Sequence, residues 1–190
     1  FRLNPAMKAS EIANQLTVGT LDVWVTIPEG QRGGEIADIL EKTMPNYAPV
    51  WDEKLEQYEG SLFPDTYLFP KDSTIDTIIS IMTNNFEEKY KTLDASRVLY
   101  FSKEEIITIA SLIEREAKHS DDRPRVSSVI HNRLDLGMKL DIDATLQYAL
   151  GYQPDEKRWW KKSLTNDDKK VNSPYNTYTR AGLPPGPISN

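Results

Sequence analysis

The stretch SKEEIITIASLIEREAKH, residues 102–119, decides how the second half of the chain folds. Ser102 followed three residues later by Glu105 is the S-x-x-E capping box that begins a helix. No glycine or proline interrupts the run, and isoleucine and alanine recur at steps of three and four residues. The sequence therefore predicts an amphipathic helix whose apolar face packs on a core.

Glu114 lies inside the apolar arc of this predicted helix, between Ala110 and Ile107 on a wheel of about 100° per residue. Burial raises the pKa of a carboxyl, which is how a general acid keeps its proton near neutral pH. Glu114 is therefore a candidate general acid, although a buried ion pair would suit the same position. Glu116 lies just outside the arc, where we expect it to pair with a neighbouring cation rather than act as the catalyst.

The composition is that of a globular protein without the charge pattern of a nucleic-acid binder. The 190 residues are 38% hydrophobic and 27% charged, with a net charge of −6. An acidic chain without a basic block argues against nucleic acid as a partner. No run approaches the length of a membrane-spanning helix. Phe1 is not a natural start, so we expect further residues upstream.

The residue types that usually bind metals are scarce. The sequence has no cysteine and two histidines, His119 and His131. Disulfides, thiolate zinc sites and cysteine nucleophiles are therefore excluded. No loop of the calcium or magnesium type is recognisable. We expect neither a metal nor a cofactor.

The first forty residues contain a weak repeat that predicts two β-α units. Each unit has a short extended piece, a polar turn and an amphipathic helix. Alternation of Val23, Val25 and Ile27 with polar or exposed-type residues marks the second strand, and the turn at 28–30 ends it. Five residues recur at a constant offset of 24: Leu3, Glu11, Ile12, Ala13 and Leu16 match Ile27, Glu35, Ile36, Ala37 and Leu40.

A connector rich in aromatic residues follows. Its segment EGSLFPDTYLFP, residues 59–70, is too apolar for a free loop, so it must pack on something or form one wall of a groove. A long helix begins after Ser73 and carries an apolar stripe that is ordinary core.

The last third of the chain contains two more predicted helices and two irregular segments. The helices cover about residues 122–136 and 144–150, the second with Asp143 as its N-cap. Residues 152–172 are polar and lysine-rich around two tryptophans, which predicts a solvated insertion. The final stretch, residues 173–190, has tyrosines and amides that suit hydrogen bonding to a sugar or peptide, although a purely structural loop is equally open.

Five segments in order resemble the YceG-like family, the endolytic murein transglycosylases also called MltG. The resemblance spans almost the whole chain and implies an α+β fold. A small LysM-like β-α module would cover residues 1–45, the connector 46–72, and a mainly helical catalytic domain, cut short at its C-terminus, 73–190. The segments that carry the resemblance are TIPEG, EGSLFPDTYLFP, ASLIEREAK, VIHNRLDLGMKLDIDATLQYALG and SPYNTYTRAGLPPGPISN.

The resemblance also implies an activity. Members of this family cut nascent peptidoglycan glycan strands internally and leave a 1,6-anhydro-N-acetylmuramic acid end, without a cofactor. The catalytic glutamate of the family is the first acid of an E-[KR]-E segment, which corresponds to Glu114 here. Family members are typically held outside the cytoplasmic membrane by one N-terminal helix, which this chain lacks, and are associated with penicillin-binding proteins and the elongation machinery.

Polar and aromatic residues of these segments are the candidates for binding the sugars. They are Gln147, Asn176, Tyr178, Tyr175, Thr177, Asn132, Arg133, Glu59 and Tyr67. Two other functions remain open. One is a two-carboxylate hydrolase in which Glu114 is paired with Asp141 or Asp143. The other is a peptidoglycan-binding module without catalysis.

Overall fold

The computed structural model describes residues 3–17, 22–93 and 100–190, which form seven α-helices and a two-stranded sheet. This α+β content confirms the predicted fold class. The helices and strands follow one another in this order: α1 (Ala9–Thr17), β1 (Asp22–Thr26), α2 (Gly33–Thr43), α3 (Val50–Glu56), β2 (Thr66–Pro70), α4 (Ile75–Lys91), α5 (Lys103–Glu116), α6 (Arg123–Asp135) and α7 (Asp143–Leu150).

The first half of the chain is built on the antiparallel pair β1 and β2. Val25 faces Tyr67 in this pair, and α2 and α3 lie between the two strands in sequence. The alternation that predicted β1 is visible in its burial, because Val25 is buried whereas Trp24 is exposed. In residues 3–17 the structure has α1 but no strand, so the extended piece of the first predicted β-α unit does not form there.

Helix α4 shares a buried core with this sheet, and its C-terminal half also contacts Lys103 at the start of α5 through Phe86 and Tyr90. The prediction placed α4 with the catalytic helices from residue 73 onward. Its buried side chains share one core with β1, α2, α3 and β2, because its apolar stripe faces the same side as Phe69. The buried residues of α4 are Ile75, Ile78, Ile79 and Met82. The aromatic connector belongs to the same core through Tyr67 and Phe69.

The second half is organised around α5, as the opening stretch predicted. Ser102 accepts a hydrogen bond from the Glu105 amide, and the Glu105 carboxylate accepts one from the Ser102 amide, which completes the capping box. Leu112 of α5 is fully buried in a second core with residues from α6, α7 and the end of the chain.

The segment 152–172 is not wholly a solvated insertion, in contrast to the prediction. Trp160 is buried, and its indole N–H donates to Glu35 of α2 at 2.9 Å. The Trp159 indole N–H donates to Asp38 of the same helix at 2.7 Å. The two tryptophans therefore join the second half of the chain to α2, since each places a large apolar ring and its polar N–H on that helix.

The last residues of the chain also join the two halves. Asn190 donates its backbone N–H to the Gln31 carbonyl and accepts from the Gly30 amide, each at 2.8 Å. Ile188 is fully buried in the second core, where its amide donates to the Ser111 hydroxyl at 3.1 Å. No helix among the described residues has the length and apolarity needed to cross a membrane.

Candidate active site

The last turn of α5 carries two glutamates whose side chains line two different grooves. Glu114 lines a trough between α4, α5 and the 60–64 segment, whereas Glu116 lines a groove formed with α6 and residues 140–142. Arg115 lies between them, with its guanidinium 3.6 Å from the centre of the Trp160 ring and a hydrogen bond to the Gly30 carbonyl. This anchoring fixes the rotation of the turn that carries both acids.

The trough beside Glu114 has a volume of about 320 Å³ and mostly apolar walls. Its polar lining includes Glu29, Glu114 and Arg123. Gly30, which has φ of +73°, also lies close, because a side chain there would come within 3.6 Å of Glu114 Cγ. The apolar and aromatic lining consists of Leu62, Phe63, Pro64, Phe86, Tyr90, Leu93, Ile106, Ile107 and Ala110.

Glu114 is ion-paired, which is the alternative that the helix wheel left open for this position. Its carboxylate accepts a hydrogen bond from Arg123 Nη2 at 2.9 Å, and a third of its side chain is exposed. The arginine belongs to the first turn of α6, whose position could not be inferred from the wheel of α5.

The groove at Glu116 has a volume of about 290 Å³. Although Glu116 is accessible to solvent, partial burial of its carboxyl raises the pKa above the ordinary value. A hydrogen bond from the Ala144 amide and the charge of Arg115 oppose this rise, whereas the nearby charge of Asp143 adds to it. The groove is lined by Arg125, Val126, Val129, Ile130, Arg133, Leu140, Asp141 and Ile142.

Asp143 and Tyr178 form a hydrogen-bonded pair close to Glu116. The Tyr178 hydroxyl donates to Asp143 Oδ1 at 2.6 Å. Burial and the acceptor Asp143 raise the pKa of Tyr178, and Lys169 lies over its ring at 4.7 Å. Asp143 was predicted as the N-cap of α7, but Ile142 holds that position and Asp143 is the first helical residue. Its carboxylate is therefore engaged by Tyr178 instead of by the helix N-terminus.

Of two more predicted sugar-binding residues, Arg133 lines this groove, whereas Gln147 contacts the segment that follows α7. Arg133 lines the groove, donates to the Leu140 carbonyl and lies 3.8 Å from Asp141. Gln147, on α7, donates its side-chain amide to the Lys161 carbonyl at 2.7 Å. The structure thus places Arg133 and Tyr178 on the Glu116 side of α5, together with both aspartates that were considered as second acids.

The other amides and hydroxyls of the final stretch have internal partners. Asn176 is fully buried, donates to the Lys169 and Val171 carbonyls, and accepts from the Tyr178 amide. Thr177 is buried and accepts from the Ile142 amide at 3.0 Å. These two side chains shape the loop that carries Tyr178.

The remaining predicted residues are dispersed. Tyr175 is half-buried against Tyr148, with ring centres 4.7 Å apart. Tyr67 is buried in the first core, where its hydroxyl donates to the Phe63 carbonyl at 2.5 Å. Asn132 is exposed on α6. Glu59 is held by three donors from other parts of the chain, so it lies in neither groove lining.

Residues that sequence reasoning missed come mainly from tertiary contacts. Arg123 was expected only as part of a helix start, and Phe86 and Tyr90 only as core of α4. These side chains line the trough because of where α4 and α6 pack against α5. No local sequence pattern predicts that packing. Among the described residues no cluster of histidine, aspartate and glutamate side chains could hold a metal ion.

The family model described as the YceG-like family matches residues 1–190. A Bacillus subtilis (strain 168) protein named endolytic murein transglycosylase is 41% identical over 224 residues, covering 100% of this chain and 59% of its own length. A Streptococcus pneumoniae (serotype 2, strain D39) protein of the same name is 34% identical over 156 residues, covering 78% of this chain and 27% of its own length. The chain thus spans well under two thirds of these relatives.

A solved structure shares the fold. The crystal structure of a putative yceG-like protein, lmo1499 from Listeria monocytogenes, matches with a TM-score of 0.76 at 32% sequence identity. The match covers 99% of this chain and 70% of that one.

Proposed function

The chain belongs to the YceG-like family, and from this we propose that it is the catalytic part of an endolytic lytic transglycosylase. Its substrate would be the N-acetylmuramic acid-β-1,4-N-acetylglucosamine bond within nascent peptidoglycan strands, and its product a 1,6-anhydro-N-acetylmuramic acid end. The names of the relatives at 41% and 34% identity support the reaction class. The specific bond and the anhydro end rest on the sequence resemblance.

We assign the single acid/base of this proposal to Glu114, the first acid of the E-[KR]-E segment. Glu114 lines the trough together with residues from three other segments that carry the family resemblance: Glu29 of TIPEG, Leu62 of EGSLFPDTYLFP and Asn190 of the final stretch. A general acid/base must face the groove that receives the scissile bond. The convergence of these segments on one trough is the observation that carries the assignment.

The reaction needs one proton carrier and no water. The Glu114 carboxyl donates its proton to the glycosidic oxygen, and the bond from that oxygen to C1 of the muramic acid breaks. The carboxylate then takes the proton of the C6 hydroxyl as O6 bonds to C1 and closes the anhydro ring. Glu114 ends protonated again, so the next cycle can begin.

The trough around Glu114 fits this sequence of steps. Its aromatic walls at Phe63, Phe86 and Tyr90 suit the faces of sugar rings, and its mostly apolar lining limits the water that would hydrolyse the bond. Arg123 Nη2, 2.9 Å from Glu114 Oε2, is placed to stabilise the charge that the carboxylate carries between the two proton transfers.

Glu116 is the competing assignment. Partial burial raises the pKa of its carboxyl, which suits a general acid. Its side chain is nevertheless exposed, and it lines the other groove with residues of α6 and residues 140–142.

A two-carboxylate hydrolase is the second candidate among enzymes. The structure separates Glu114 from the proposed partners, because neither Asp141 nor Asp143 lines its trough. The same two aspartates lie near Glu116 instead. A hydrolytic pair would therefore be Glu116 with Asp143, and the product would carry a reducing end rather than an anhydro ring.

The N-terminal half is proposed to hold glycan as a LysM-like module. Its β1-α2-α3-β2 order supports this, with both helices between the paired strands. The membrane anchor and the contact with penicillin-binding proteins and elongation machinery are proposals from the resemblance alone.

One experiment separates these proposals. The full-length protein carrying this chain would digest uncrosslinked glycan strands, and mass spectrometry would report the ends, since an anhydro end lacks one water. We expect anhydro ends from the wild type, loss of activity in Glu114→Gln and most activity in the matched Glu116→Gln. The reverse order would assign the acid to Glu116. Hydrolysed ends would support the hydrolase, and intact glycan with retained binding would support the binding module.

A further inference from the structure

Asn190 lines the trough beside Glu114, yet its side-chain amide is engaged by the protein on both sides. Its Oδ1 accepts from the Leu62 amide at 2.9 Å. Its Nδ2 donates to Glu59 Oε1 at 2.6 Å and to the Gln31 carbonyl at 3.2 Å. Since an amide nitrogen has two hydrogens, no donor of this side chain remains for a sugar. The amide therefore has a task inside the trough wall instead of a contact with substrate.

The backbone of Asn190 holds the same part of the wall. Its N–H donates to the Gln31 carbonyl and its carbonyl accepts from the Gly30 amide, each at 2.8 Å. The Gln31 carbonyl thus receives hydrogen bonds from both the backbone and the side chain of one residue. Residues 29–31, here called the wall segment, include Glu29 of the trough lining. Asn190 consequently determines where this segment lies.

The wall segment lies directly against the proposed acid/base. A Cβ at Gly30 would come within 3.6 Å of Glu114 Cγ and 3.8 Å of Glu114 Oε1, so the backbone of Gly30 faces the carboxyl at close range. The Gly30 carbonyl also accepts from Arg115 Nη1 at 3.2 Å. Its φ of +73° is a conformation that glycine adopts without strain. The position of this backbone therefore sets the room that a substrate has beside Glu114.

Glu59 determines which way the Asn190 amide faces. Glu59 Oε1 accepts from Nδ2, which leaves Oδ1 for the Leu62 amide. The carboxylate is itself held by the Gly33 amide, at 3.0 Å from each oxygen, and by the Tyr148 hydroxyl at 3.3 Å. An ionised carboxylate only accepts hydrogen bonds, so the reversed amide would set two acceptors against each other. The contact with Glu59 thus selects one orientation of the Asn190 side chain.

We propose that Asn190 is a positioning residue of the trough, which joins the wall segment to Glu59 and Leu62 and so fixes the space beside Glu114. The inference rests on the proposed role of Glu114 as the acid/base. The sequence suggested that amides of the final stretch bind a sugar, whereas this amide acts on substrate only through the wall that it holds.

Exchanging the donor and the acceptor of the Asn190–Glu59 contact provides a direct test. Asn190→Asp keeps the shape and the acceptor for Leu62, but it replaces the donor by a second carboxylate at a contact of 2.6 Å. Adding Glu59→Gln restores one donor and one acceptor in exchanged places, with the net charge of the wild type. Asn84→Asp is the matched control, because Asn84 is an exposed residue of α4 whose amide donates to Ser80.

Kinetics on uncrosslinked glycan strands with the full-length protein provide the first readout. The measurement is made at pH 8, since burial raises the pKa of Glu59 to about 7. We expect kcat per folded molecule to fall about tenfold in Asn190→Asp, because a displaced wall misplaces the substrate. The double variant should recover to within about threefold of the wild type, and the Asn84→Asp control should match it.

The chemical nature of the new ends distinguishes positioning from a merely structural role. A displaced wall admits water to the trough, so the share of hydrolysed ends should rise in Asn190→Asp and return in the double variant. Mass spectrometry measures this share, because an anhydro end lacks one water. A variant that was only less stable would contain fewer folded molecules, and those molecules would leave the same ends as the wild type.

Amide hydrogen exchange gives a readout that needs no activity. The Gly30 amide donates to the Asn190 carbonyl, so NMR of the ¹⁵N-labelled full-length protein reports on the wall segment at that position. We expect Gly30 to exchange about tenfold faster in Asn190→Asp and at nearly the wild-type rate in the double variant. Asn190→Ala removes the amide without adding a charge, so it should show the same losses if Asn190→Asp does not fold.

The positioning role and the catalytic assignment fail in different ways. Unchanged ends and unchanged Gly30 exchange in a folded Asn190 variant would overturn the positioning role, as would a double variant that recovers nothing. Faster Gly30 exchange that the double variant reverses, in a protein whose Glu114→Gln variant still cuts glycan, would keep Asn190 as the residue that holds the wall. The same result would overturn Glu114 as the acid/base.

Discussion

The Tyr178 hydroxyl donates a 2.6 Å hydrogen bond to Asp143 across 35 positions of sequence. The pair links the final loop to the first turn of α7, beside the carboxyl of Glu116. It makes the charge of Asp143 a fixed feature of the groove, because the carboxylate cannot turn away without losing its donor.

Tyr178→Phe removes this hydrogen bond and keeps the ring. We expect kcat on glycan strands to stay close to the wild-type value, because neither Tyr178 nor Asp143 lines the trough that contains Glu114. Stability should change by only about 1 kcal/mol, as is usual for one hydrogen bond. Steady-state kinetics and urea unfolding would check the two effects. A large loss of kcat in the folded variant would show that the chemistry depends on this pair.

Gly34→Ala tests the docking of Trp159 on α2. A Cβ at Gly34 would come within 2.4 Å of the Trp159 ring, closer than any packing tolerates. We expect a loss of about 1–3 kcal/mol in the free energy of unfolding. Gly186→Ala is the matched control, because its nearest neighbour, the Tyr175 hydroxyl, would lie at an ordinary 3.5 Å. Equal stability of the two variants in thermal unfolding would count against the tight Trp159 contact.

Arg115→Lys tests the anchor between the two glutamates. Lysine keeps the charge but loses the flat guanidinium that lies 3.6 Å from the Trp160 ring centre and donates to Gly30. We expect a stability loss of about 1–2 kcal/mol and a lower kcat. Arg125→Lys provides the comparison, since 87% of the Arg125 side chain is exposed. A neutral effect at Arg115, measured by urea unfolding, would mean that the stacking does not hold the turn.

The raised pKa of Glu59 predicts that the free energy of unfolding depends on pH. Its pKa of about 7 in the folded protein exceeds the ordinary 4.5, so the folded state binds more protons between these values. The stability contribution is complete below about pH 4.5 and is lost as pH rises through about 7, by up to about 3 kcal/mol. Urea unfolding at pH 5 and pH 8 should show this decline in the wild type and a smaller one in Glu59→Gln. An equal change in the free energy of unfolding between pH 5 and pH 8 in the wild type and in Glu59→Gln would contradict the raised pKa of Glu59.

Local patterns predicted the elements well where one segment determines its own structure. The S-x-x-E pair at Ser102 and Glu105 set the start of α5, and the alternation around Val25 set β1. Both signals depend on contacts within a few residues or on one face of a strand. They do not depend on the rest of the fold.

Long-range packing limited what the sequence could say about the site. A helix wheel places Glu114 on the apolar side of α5, but it cannot show that α6 brings Arg123 to it. It also places Glu116 outside the core, and the side chain is exposed in the structure, but the wheel cannot show that residues 140–142 form a groove beside it. The tryptophans at 159 and 160 donate hydrogen bonds to α2, more than 120 positions away in the sequence. No local sequence pattern predicts such a contact.

The exchange of backbone hydrogen bonds between Asn190 and the Gly30–Gln31 pair ties the sheet module to the helical half. If the sheet module holds a glycan strand, as proposed, that strand would reach the proposed catalytic trough at a set distance. The distance between successive cuts would then be a whole number of disaccharides that the protein itself determines.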